Sequence, residues 1–149
     1  MSRGWAWVLG LVAVAACGRH ADQEAELGRA IARWRAAGAH DYDVVQQVSC
    51  FCGFPTPDSV LVLVRQDTIA SATDASTGQP IASMFAGFYY DVEELFDLVQ
   101  SAIDRDASRL DVQYQAVLGY PTAIDIDFAP GIADDEIRVQ VFRLTVPGR

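Results

Sequence analysis

The sequence predicts an α+β domain: an antiparallel sheet of about six strands covered by two helices, in the order α-β-β-β-α-β-β-β. Three observations carry this. Apolar residues recur at helical spacing in two segments, around Leu27–Trp34 and Val92–Ile103. Two groups of short segments alternate apolar with polar residues or run β-branched, the mark of strands. The alternation within strands argues for antiparallel pairing with one covered face. A small barrel or sandwich with peripheral helices is the competing architecture.

The elements follow in order. From about Asp22 to Ala37, Leu27, Ile31 and Trp34 share a helical face with Ala30 and Ala37, and Gly38 is a natural stop. Asp41 to Cys52 reads as a strand with Tyr42, Val44, Val48 and Cys50 on one face. Gln46 interrupts that face, while Asp43, Gln47 and Ser49 point the other way. Pro55 and Pro57 end the strand. Val60–Val64 and Ile69–Thr73 form a hairpin about Arg65-Gln66-Asp67, and residues 74–80 (DASTGQP) are loop chemistry. Asp91 with Glu94 predicts a capping box at the start of a helix reaching about Ala107. Its stripe is Val92, Leu95, Phe96, Val99, Ala102 and Ile103; Arg105 and Arg109 fall where the helix dipole favours cations. Three strands close the chain, with Leu110, Val112 and Tyr114, then Ile124, Ile126 and Phe128, then Ile137, Val139 and Val141 on their inner faces.

The N-terminus is a separate matter. Arg3 precedes an uncharged run from Trp5 to Ala16, too short to span a hydrocarbon core of roughly 30 Å as a helix. A basic start, a short apolar run and small residues at its end predict a signal peptide over 1–16. Val14-Ala15-Ala16-Cys17 resembles the lipobox of bacterial lipoproteins, which implies acylation of Cys17, a palmitate-bearing membrane anchor and a short tether over 17–24. The alternative is an ordinary cleavage site near Ala16 or Ala21. Gly18 follows the cysteine, so no aspartate stands there to retain the protein at an inner membrane; an outer membrane is the expected location where the host has one. Residues 25–149 then form one extracytoplasmic domain in the cell envelope.

Charge narrows the function classes. The chain carries 20 acidic and 11 basic residues, for a net charge of −9, and all its cations are arginine. A phosphate backbone would be repelled and no basic stretch focuses one, so nucleic acid is excluded as a partner. The expected partners are the membrane, through lipid on Cys17, and an envelope protein. No cofactor is implied. Nucleophile-elbow, phosphate-loop, HExxH and dinucleotide patterns are missing, and two histidines, His20 and His40, leave little for a catalytic triad.

Three groups of residues could carry chemistry. Cys50 and Cys52 would lie about 6.6–7 Å apart in a regular strand, the edge of disulfide reach. A structural disulfide closed by a bend at Phe51 is the first reading. Separately buried thiols, or a thiol-redox or metal-linked pair, are the others. Phe85, Phe88, Tyr89 and Tyr90 form an aromatic segment that either covers the core or offers a binding surface. Asp125, Asp127, Asp134, Asp135 and Glu136 could crowd one hairpin end and attract calcium, although EF-hand spacing is missing. A solvated acidic face partly paired with Arg138 is the simpler reading, and hydrolysis by Asp125 with Asp127 is a third possibility.

The segments YDVVQQVSCFCG (42–53), VEELFDLVQSAID (92–104) and VQYQAVLGYPTAIDIDFAPGIADDEI (112–137) resemble a family of small bacterial secreted proteins and lipoproteins that share domain of unknown function 6174. They span most of the domain. The resemblance implies a common fold and structural weight for the Cys-Phe-Cys-Gly and Gly-Tyr-Pro segments. It brings no activity, substrate or site residue.

Overall fold

The structure is a computed structural model describing residues 9–50, 56–132 and 135–148, with side chains from residue 18 onward. Helix α1 runs Leu9–Ala37, and strands β1 (Tyr42–Cys50), β2 (Val60–Arg65) and β3 (Thr68–Asp74) follow it. A 3-10 segment, Ser83–Phe88, leads into α2 (Val92–Asp104), then β4 (Arg109–Tyr114), β5 (Pro121–Asp127) and β6 (Glu136–Thr145). The strands form one six-stranded sheet in the order β3-β2-β1-β6-β5-β4, every neighbour antiparallel. The α+β architecture read from periodicity is the one observed.

One sheet face carries the core. Val44, Gln46 and Val48 of β1 are buried, as are Val60, Val62 and Val64 of β2, Ile124 and Ile126 of β5, and Val139 and Val141 of β6. Over them pack Leu27, Ala30 and Trp34 of α1 and the whole predicted stripe of α2. Trp34 meets Tyr42 edge-on at 5.2 Å and Tyr120 at 6.2 Å, a geometry that aromatic quadrupoles favour. Tyr42 also accepts a hydrogen bond from the Val92 amide at 2.9 Å, tying β1 to the start of α2; burial holds its phenol above the ordinary range.

The capping box forms as expected. The Asp91 carboxylate accepts from the Glu94 amide at 2.8 Å, and the Glu94 carboxylate accepts from the Asp91 amide at 2.9 Å. Gln66 and Asp67 both have positive φ, which lets a two-residue turn match the twist of the β2–β3 hairpin. Gly119 is required by close approach. It sits at φ +85°, and a Cβ there would stand 2.3 Å from the Ala30 carbonyl oxygen of α1. This gives the Gly-Tyr-Pro segment its structural role: it presses the turn before β5 onto α1.

Several expectations need correction. Gln46 does not break the inner face of β1. It is fully buried, its Nε2 donates to the Tyr90 carbonyl at 2.7 Å, and its Oε1 accepts from the Tyr90 amide at 3.3 Å. A polar side chain is stable there because both ends are satisfied. Helix α2 stops at Asp104 rather than Ala107, and Arg109 opens β4 instead of completing the helix dipole. At the N-terminus α1 does not begin near Asp22. It is continuous from Leu9, so the segment 17–24 expected as a tether is part of the helix. Among the described residues no helix is long and apolar enough to cross a membrane. The described residues give no support to the expected signal peptide, palmitate or other lipoprotein feature.

Candidate functional site

The two helices leave the other sheet face uncovered, and the sequence-predicted acidic group falls on it. Register places Asp111, Asp125, Arg138 and Ser49 in one row across β4, β5, β6 and β1. Gln113, Ala123, Gln140 and Gln47 form the next row. Asp125 is clamped: Oδ1 accepts from Arg109 at 2.8 Å and Oδ2 from Arg138 at 3.0 Å. Glu136 stands 3.9 Å from the same Arg138, and Asp127 pairs in register with Arg109 and Glu136.

This arrangement does not suit the calcium reading. Asp125 spends both oxygens on arginine, and among the described residues no group of three or more His, Cys, Asp or Glu could hold a metal. Asp135 is described, whereas Asp134 lies outside the described residues. The clamp also leaves Asp125 without a free oxygen for acid–base work. A trough of about 650 Å³ runs along these rows, lined by Gln47, Ser49, Asp111, Gln113, Asp125, Arg138 and Gln140 among others. The sequence had marked Gln47, Ser49 and Gln140 only as outward-facing. Their meeting depends on pairing the first strand with the last, for which alternation carries no signal.

The aromatic segment divides. Tyr89 is buried at 2% exposure and belongs to the core, Tyr90 packs against it, and Phe85 and Phe88 are half-buried. Tyr89 and Tyr90 are therefore core residues first, in line with the core-covering reading, which leaves Phe85 and Phe88 of the four candidates for a binding surface. Met84, beside them, is 75% exposed. A cavity of about 260 Å³ opens here, walled by Pro57, Pro80, Ile81, Ala82, Phe85 and Tyr89, with Asp74 and Gln79 completing the lining. The Tyr89 hydroxyl is buried without a hydrogen-bond partner among the described residues. Burial, and then the Asp74 charge, push this phenol up, so it remains a donor. Asp74 itself is held below the usual carboxylate range by the Ser76 hydroxyl and amide and by Thr77.

Cys50 ends β1 opposite Ile137 and is disulfide-bonded. Cys52 falls outside the described residues, so the expected Cys50–Cys52 closure is not among the described bonds. No imidazole comes to a metal there. His40 lies beyond the opposite end of β1, bonded to Asp67 at 2.8 Å, and His20 bonds Asp106 at 2.8 Å. Cys17 lies within α1, its side chain outside the described set.

A family profile described as a family of unknown function (DUF6174) matches residues 26–146, nearly the whole of the domain, and the chain belongs to that family. No curated protein and no solved structure matches the chain.

Proposed function

For this member of a family of unknown function, we propose a non-enzymatic binding or support domain of the cell envelope. It is held outside the cytoplasm at a membrane by acyl chains on Cys17, and it engages another envelope protein through the 83–89 segment. The observation that carries the reading is the apolar cavity walled by Pro57, Pro80, Ile81 and Phe85, with exposed Met84 at its side. A cavity of about 260 Å³ is below the usual size of a small-molecule site and suits one large apolar side chain, the anchor around which protein interfaces concentrate their energy. The unpartnered Tyr89 hydroxyl offers one donor for an accompanying backbone carbonyl. Small residues ahead of Cys17 and the net charge of −9 support the acyl anchor and argue against polyanionic partners.

The test uses the full chain in its native host with a photo-crosslinker at position 84. One envelope protein should be captured, and Phe85→Ala should remove the product, because opening the wall that holds the partner's anchor side chain costs about 2 kcal/mol or more, roughly 30-fold in affinity. A crosslinker at exposed Val117 is the control. Capture that is indifferent to Phe85→Ala defeats the reading. Intact mass of the membrane-extracted protein tests the anchor: a lipid-free mass refutes it.

A further inference from the structure

The trough on the uncovered sheet face lies apart from the 83–89 segment and has a different chemistry. Its lining sets amides, a hydroxyl and charged groups among Val112, Ala123, Ile124 and Val139. The side chains of Gln47, Ser49, Asp111 and Gln113 have no hydrogen-bond partner among the described residues, although all four line it. Gln140 is steadied by donating from Nε2 to the Thr122 carbonyl at 3.0 Å, which leaves its side-chain oxygen facing outward work. The Arg109–Asp125–Arg138 cluster fixes the floor and sets Asp125 against two cations. Asp111 is then the carboxylate left unpaired in the lining.

One aromatic flanks these groups. A bulge between Val45 and Gln46 sets Arg143 and Val141 of β6 against successive residues of β1, so Phe142 is the extra residue. Val141 stays buried and Leu144 packs on the core, which leaves Phe142 toward the uncovered face, 56% exposed. It follows Gln140 by two residues, about 7 Å along the strand.

We propose that this trough binds a neutral oligosaccharide, with Phe142 as the stacking platform and Gln47, Asp111, Gln113 and Gln140 as hydrogen-bonding partners. Sugar hydroxyls both donate and accept, which matches amide side chains beside one free carboxylate. The C–H face of a pyranose ring is apolar and lies well on an aromatic ring. A trough of about 650 Å³ falls within the range of ligand sites. The free Asp111 and the chain's net charge of −9 favour neutral over acidic glycans.

The experiment titrates the full chain, labelled with nitrogen-15, with tri-N-acetylchitotriose and with cellotriose. At least one should produce saturable amide shifts confined to Gln47, Asp111, Gln113, Gln140 and Phe142. Phe142→Ala and Asp111→Asn should each weaken that binding about tenfold while the spectrum stays dispersed. Both side chains are on the uncovered face, so the fold does not depend on them. No saturable shift with either sugar overturns the proposal, as do shifts centred on Phe85 or binding that both variants leave intact. Equal affinity for an oligogalacturonate would overturn the preference for neutral ligands.

Discussion

The two faces of the sheet are built from the same strands and do opposite work. The helix-covered face is nearly all valine and isoleucine, closed by Leu27, Trp34, Leu95 and Phe96, and Gln46, the one buried polar residue among the described residues, is fully satisfied. The uncovered face carries paired charges, unpaired amides and an exposed Phe142. Burial of apolar area stabilises the first at about 25 cal/mol per Å², whereas half-exposed ion pairs on the second contribute little because water screens them. Stability therefore belongs to one face, and the other is free to be shaped for binding.

Three substitutions sharpen or break that contrast. Phe96→Ala, at 2% exposure in the middle of the covered face, should cost about 3–5 kcal/mol in denaturant unfolding. A loss below about 1 kcal/mol would mean that the helices do not close this face as described. Gln46→Leu keeps the volume but strands the Tyr90 amide and carbonyl; about 1–3 kcal/mol should be lost despite the more apolar side chain. If the variant is instead more stable, Gln46 is not the satisfied link between β1 and the start of α2. Asp125→Asn should move stability by less than about 1 kcal/mol, since its partners Arg109 and Arg138 are 41% and 58% exposed. A cost near that of Phe96→Ala would make the uncovered face a second structural layer.

The covered face was largely legible in the sequence, because its information is local. Stripe, cap and alternation each lie within one element, and the start of α2 at Asp91 and Glu94 and its buried stripe formed as read. The uncovered face was not. Its trough exists only where Ser49, Arg138, Asp125 and Asp111 line up across four strands, and register between distant strands leaves no periodic trace. The aromatic segment was half legible. Clustering of Phe85, Phe88, Tyr89 and Tyr90 marked it, but a 3-10 turn followed by an extended residue sends Tyr89 inward with no repeating pattern to announce it. Gln46 misled because a buried amide and a strand break look alike until its partner, Tyr90, is found 44 residues away.

The strand order has a consequence for how the chain is made. The sheet's centre is the pair β1–β6, the first strand and the last, with Val44 set against Leu144. Each half, β1–β3 and β4–β5, can zip from neighbouring sequence and the helices touch both, but no strand pairing joins the halves until β6 is in place. Until then the valine-rich edge of β1 stands open. The sheet is completed only once β6 has emerged, and a nascent chain stopped before β6 would hold two half-sheets with no backbone seam between them.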